Sequence, residues 1–221
     1  MNHAKTVKGS VLEESLKAQT AFLSCLVSKR SDTETAATLV LKDRQAAAWT
    51  RDHLATHLKR LEDPQILVLD LAGITLTPSS MQELILPLAQ RIRGGEYGTV
   101  RLVISTADPG VADFLRYMAQ VHKLSLYLCR SPFNLREATP IGSLTRTASR
   151  TLDAIVMLGG QVTASQLAET EGIRQTAAIN RLVNLDREGY LVRQPRGHRE
   201  GDVYIEPRSA TSTPMALSEY F

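Results

Sequence analysis

Between Arg174 and Arg199 the chain concentrates side chains suited to hydrogen-bonding a polyanion. Arg174, Gln175, Thr176, Asn180 and Arg181 fall within two turns of a predicted helix, and Asn184 lies one turn further on. Arginine, glutamine and asparagine are the side chains that make paired hydrogen bonds to guanine and adenine edges. The position of Asn184 suits a phosphate. A glycine-containing loop then brings Arg193, Arg196, His198 and Arg199 together, chemistry suited to phosphate or minor-groove contact. From residue 143 to 208 every basic residue other than histidine is an arginine, including Arg146, Arg150, Arg187 and Arg208. Glu169, Glu171, Glu200 and Asp202 dilute that charge, so a protein-docking surface with solvated charges is the competing reading.

Other candidates carry less chemistry. Ser79 and Ser80 follow Pro78 at the start of an apolar helical pattern, which fits either a modifiable hydroxyl or a helix cap. His53 and His57 are four apart on a predicted helix, a spacing that can ligate zinc, but no third ligand is fixed by spacing and an exposed polar face is the expectation. Cys25 and Cys129 sit in apolar runs with no metal spacing and read as buried reduced thiols. Gly94-Gly95 follows a helix and reads as a turn. The chain has no GxGxxG, GxxxxGK or GxSxG pattern. No catalytic constellation, metal site or cofactor is expected, and an enzyme is the least favoured class.

These residues need positioning elements. The 221 residues, 43% hydrophobic and 22% charged with a formal net charge of +3, suffice for one large or two small domains and give no overall basic signal. Residues 1–35 predict a tail and an amphipathic helix, capped by Ser10 and Glu13 and carrying Leu12, Leu16, Leu23 and Leu26; such a helix packs at home or pairs with a second copy. Residues 36–130 alternate strand and helix. Strands are predicted at 38–42, 65–71, 100–105 and 124–129, the second apolar throughout as in a strand buried on both faces. Helices are predicted at Gln45–Leu61, at Ser80–Arg93 with a bend at Pro87, and after the Asp108-Pro109 start signal. Residues 131–142, with two prolines, predict a linker. Residues 143–208 predict three helices: Ser149–Leu158, Ala164–Thr170 capped by Thr163, and a third with Ala178, Leu182 and Leu185 inward. Gly172 makes the turn before the third, and two strands follow it. Residues 209–221 read as a tail. Lys5 and Lys8 are followed by Glu13 and Glu14, and the apolar run Ala21–Val27 is too short to span a bilayer. A cytoplasmic protein without membrane contact is expected.

Two stretches resemble known families. "SQLAETEGIRQTAAINRLVNLDREGYLVRQ" resembles the helix-turn-helix of bacterial winged-helix regulators, through Leu167-Ala168, Gly172-Ile173, Leu182, Leu185 and Gly189-Tyr190-Leu191. Arg174 departs by standing where a serine or threonine cap is common in that family. "DLAGITLTPSSM" (70–81) resembles the signature of STAS domains, which runs Asp-Leu-Ser-Gly-Val, three variable residues, then Asp-Ser-Ser-Gly. Asp70, Leu71, Gly73 and Ile74 match the first half, and Ser79 and Ser80 fall on the serine pair. Pro78 and Met81 replace the flanking aspartate and glycine. The resemblances imply an α/β STAS-like domain at 36–130 and an α+β winged helix at 143–208.

The implied function is a DNA-binding transcriptional regulator. Its STAS-like domain would sense a signal or bind a regulatory protein, its winged helix would contact double-stranded DNA, and the chain would act as a homodimer on two half-sites. The alternative is an anti-sigma-antagonist type of interaction switch without DNA binding. The family's phosphorylated serine would then be Ser79.

Overall fold

The computed structural model describes residues 19–24, 39–41, 44–59, 65–71, 74–196, 201–209 and 215–216. Its strands are β1 (Gln19–Ser24), β2 (Leu39–Leu41), β3 (Gln65–Asp70), β4 (Ile74–Leu76), β5 (Arg101–Ser105), β6 (Leu126–Cys129), β7 (Thr139–Ile141), β8 (Gln161–Thr163), β9 (Val192–Gln194), β10 (Val203–Ile205) and β11 (Met215–Ala216). The α-helices are α1 (Arg44–Leu58), α2 (Pro78–Arg93), α3 (Pro109–Val121), α4 (Arg146–Met157), α5 (Ala164–Glu171) and α6 (Gln175–Glu188). The main sheet has the order β11-β1-β3-β5-β6-β7, parallel except for the antiparallel edge strand β7. The fold is therefore α/β with a mixed sheet.

The sheet is built from strands that are apolar on both sides. Leu67 and Leu69 of β3, Leu102 and Ile104 of β5, and Leu126 and Leu128 of β6 enter one core with α1, α2 and α3. The alternate residues Ile66, Val68, Val103, Tyr127 and Cys129 enter a second core on the opposite face. Side chains alternate along a strand, so a continuous apolar run demands cover on both faces. The helix layer supplies one cover. Residues of α4, α5, α6 and the strands around them supply the other, through Leu152, Ile155, Val162, Leu167, Ala178, Leu182, Leu185, Tyr190 and Tyr204.

Polar contacts lock this second cover. The Tyr127 hydroxyl donates to the Tyr190 carbonyl at 2.9 Å, and the Tyr190 hydroxyl to the Ile141 carbonyl at 3.2 Å. The two rings meet edge to face, centroids 6.2 Å apart. Buried Arg101 of β5 reaches the end of α6: Nε donates to the Leu191 carbonyl at 2.5 Å and an NH2 to the Asp186 carboxylate at 2.7 Å. Arg101 and Tyr127 therefore project from the sheet into the same chain segment, 186–191. Glu206, buried beside Tyr127, accepts from the Arg208 backbone and guanidinium; burial raises its pKa despite that arginine.

Residues 131–142 are not a linker. They form a 3-10 turn (Leu135–Glu137), whose Leu135 enters the second core, and then β7, which pairs with β6 with Thr139 opposite Leu128. Pro140 is tolerated because β7 is an edge. Gly142 then has φ +121°, and a β-carbon there would meet the Leu124 carbonyl oxygen at 1.9 Å, so only glycine passes between sheet and α4. The N-terminal expectation also changes. Residues 19–24, expected within an amphipathic helix, form β1, paired with β3 from Gln19 opposite Gln65 to Ser24 opposite Asp70. The cap residues Ser10 and Glu13, with Leu12, Leu16, Leu26 and Cys25, lie outside the described residues. In the expected C-terminal tail, Met215 and Ala216 pair with β1.

The expected alternation from residue 65 to 129 is present, with ends shifted by one or two residues. The strand expected at 38–42 lies outside the main sheet, and β2 pairs with β4 instead. Helix α2 runs on through Pro87. Proline denies the Glu83 carbonyl its helical partner, and Arg51 of α1 compensates, an NH1 donating to that carbonyl at 3.4 Å and to the Glu83 carboxylate at 2.6 Å.

The shared core predicts one cooperative unfolding transition rather than separate melting of residues 19–130 and 143–209. Asp186→Ala removes the carboxylate that pairs with Arg101 and should lower stability by about 2–4 kcal/mol while keeping that single transition. Calorimetry and urea denaturation read both; two resolved transitions in the unmodified protein would contradict the shared core.

Candidate nucleic-acid interface

Helix α5 starts on a reciprocal cap, Thr163 accepting from the Gln166 backbone and Gln166 from the Thr163 backbone. It ends on Gly172 in the left-handed conformation, φ 64°. That residue turns the chain within three positions into α6. Ala178, Leu182 and Leu185 bury the inner stripe of α6. The opposite side faces solvent: Arg174, Gln175, Thr176, Ile179, Asn180, Asn184 and Arg187 are all exposed.

Among the residues expected to contact DNA, the structure brings Arg174, Gln175, Thr176, Asn180 and Asn184 onto this open side. Gln175 is held in place, its amide donating to the Ser165 hydroxyl of α5 at 3.0 Å. Asn184 accepts from the Arg187 guanidinium at 3.0 Å. Arg181 is not among them. It turns toward the end of α5 and pairs with Glu171, so its charge is neutralised within the protein. Arg193 on β9 pairs with Asp202 at 2.5 Å and is likewise balanced. Arg196 is exposed beyond β9. His198 and Arg199 lie outside the described residues.

Charge is distributed by partner rather than by count. Residues 143–209 hold nine arginines and eight carboxylates. Asp186, Glu171, Asp202 and Glu206 are taken up by Arg101, Arg181, Arg193 and Arg208. Among the described residues of this segment, Arg146, Arg150, Arg174, Arg187 and Arg196 have no carboxylate partner, Arg187 bonding instead to the Asn184 amide oxygen. Arg150 lines a cleft with Thr147, Thr170, Ile173 and Arg181, which places the first turns of α4 beside the α5–α6 turn. Arg146 and Arg150 are not among the residues expected from the sequence to contact DNA. Their signal was their position, two arginines one turn apart at the start of a helix.

The serine pair resolves into two different environments. Thr77, not a serine, caps α2, with Pro78 at the first helical position. Ser80 is buried and completes the cap, its hydroxyl accepting from the Thr77 backbone at 2.9 Å. Ser79 is half-buried, its hydroxyl 3.1 Å from that of Thr77. Cys129 is a buried free thiol, and burial pushes its pKa up to about 11, which disfavours the thiolate. His53 and His57 fall on α1, and their side chains lie outside the described residues. Among the described residues no group of three histidine, cysteine or acidic side chains is placed to hold a metal, and no helix is long and apolar enough to cross a membrane.

Comparison with protein-family models, curated proteins and solved structures gives no match.

Arg174 occupies the cap position of α6 without a side-chain cap bond. Serine, aspartate and asparagine are much better there. Arg174→Ser should therefore stabilise the protein by about 0.5–1 kcal/mol, read as a higher urea midpoint. An unchanged or lower midpoint would show that the arginine already serves the fold.

Proposed function

We propose that this chain is a DNA-binding transcriptional regulator, in which a winged helix-turn-helix at 143–208 is carried on a STAS-like α/β layer. The observation that carries the reading is the state of α6. Its inner stripe is consumed by the core and its C-terminal end by Arg101, yet its N-terminal polar stripe remains open to solvent. A helix that presents its first residues to the major groove needs that combination. The open cations around the helix add phosphate contacts: Arg146 and Arg150 on α4, and Arg196 after β9. The α5-α6 turn followed by the antiparallel β9-β10 pair supports the winged-helix assignment. The order of elements from β3 to β6 supports the STAS-like one. A cytoplasmic homodimer reading two half-sites completes the proposal, and no catalysis is assigned.

Purified protein should bind duplex DNA with an affinity that falls steeply with salt. Arg146→Ala and Arg150→Ala should each weaken binding uniformly across sequences and reduce the slope of log affinity against log salt by about one. Genome-wide occupancy mapping identifies the operators. The proposal fails if genomic fragments show no protein-dependent protection even at low salt.

A second reading, an interaction switch without DNA binding, draws on Ser79. Ser80 is buried in the α2 cap, which leaves Ser79 as the accessible hydroxyl of the pair. A phosphate there would sit at a helix N-terminus, where anions are favoured. Phosphate incorporation abolished by Ser79→Ala, in a protein that protects no DNA, would establish this reading; absence of incorporation removes it.

A further inference from the structure

Ile179 is the apolar residue out of place on α6. It is 41% exposed, whereas the apolar residues of the inner stripe are 2% exposed or less. On a helix of 3.6 residues per turn, positions i, i+1, i+4 and i+5 form one stripe. Gln175, Thr176, Ile179 and Asn180 occupy those positions, which sets Ile179 between two polar residues on one side and Asn180 on the other. Folding does not require a branched aliphatic side chain there, and exposing one gains nothing in water.

We propose that Ile179 is a specificity-determining residue that packs against the 5-methyl group of a thymine in the major groove. The proposal rests on the DNA-binding reading above and deepens it by naming a base. Of the four bases only thymine offers an apolar group on its major-groove edge, and apolar side chains are its partners. The neighbours on the stripe fit the same step. Gln175, pinned by Ser165, and Asn180 carry amides that pair with the N6 and N7 of adenine. The half-site is therefore centred on A·T pairs, with thymine at the position Ile179 faces. A protein partner is disfavoured as the occupant because the exposed stripe neighbours Gln175, Thr176 and Asn180 are polar and Val183, one turn on, packs against the core, whereas docking surfaces concentrate apolar residues at their centre.

The test is a two-way exchange on full-length protein. Binding-site selection from random duplexes first gives the preferred site for the unmodified protein and for Ile179→Ala. Thymine at the assigned position is then replaced by deoxyuridine, which lacks only the methyl. The unmodified protein should lose about fourfold in affinity on that replacement, the worth of one buried methyl-sized group. Ile179→Ala should lose the thymine preference, show no further loss with deoxyuridine, and bind non-specific DNA with unchanged salt dependence. Ile179→Val should retain most of the preference. If the unmodified protein selects a site but no thymine-to-deoxyuridine exchange affects it differently from Ile179→Ala, the thymine contact is wrong and the regulator reading stands. If no duplex is bound at low salt, both fall together.

Discussion

The structure depends on a sheet whose central strands, β3, β5 and β6, are buried on both faces. In β3, β5 and β6 the residues between the strand ends are as apolar on one face as on the other, and the polar residues Gln65, Asp70, Arg101 and Ser105 stand at the strand ends. Helices α1 to α3 cover one side only. Leaving Ile66, Val68, Val103 and Tyr127 in water would forfeit roughly 1.5–3 kcal/mol for each large side chain, so the sheet needs a second cover. The C-terminal helices provide it. Their own inner residues, such as Leu152, Leu182 and Leu185, are in turn buried in the same cluster.

That mutual dependence bears on how a signal could travel. Two domains joined by a flexible linker communicate by changing their relative orientation. Here the connecting segment is a sheet strand, and α6 is held to the sheet by Arg101, Asp186 and the Tyr127–Tyr190 contact. In the proposed regulator, an event at the α/β layer must displace the sheet, undock the second cover, or alter the pairing of two copies. Each requires the effector to bind one of two states better than the other. The anchored end of α6 at Asp186 and its open end at Gln175 are about three turns apart, so a small tilt at Asp186 moves the polar stripe directly.

The electrostatics show why composition was uninformative. Nine arginines and eight carboxylates nearly cancel between residues 143 and 209. The cancellation is local and unequal: four carboxylates are tied to structural arginines, one of them in the sheet. What remains is a small group of arginines near the start of α4, at both ends of α6 and on the hairpin. Charge counting averages over this sorting, and only the pairing geometry reveals it.

The sequence by itself determined the central strands and most of the helices. Apolar alternation and runs located β3, β5 and β6, and the spacing of Ala178, Leu182 and Leu185 gave α6 its inner stripe. Gly172 gave the turn before α6, because these signals act within a few residues. It also placed Arg174, Gln175, Thr176 and Asn180 outward, and by the same periodicity it could have placed Ile179. Only the tertiary structure decided what pairs with what. It made residues 19–24 a strand beside β3 rather than part of a helix, because their pairing partner lies more than forty residues away. It made Thr139–Ile141 an edge strand rather than a linker, and turned Arg181 and Arg193 toward Glu171 and Asp202. Those outcomes depend on which surfaces meet in space, and periodicity along the chain carries no record of that.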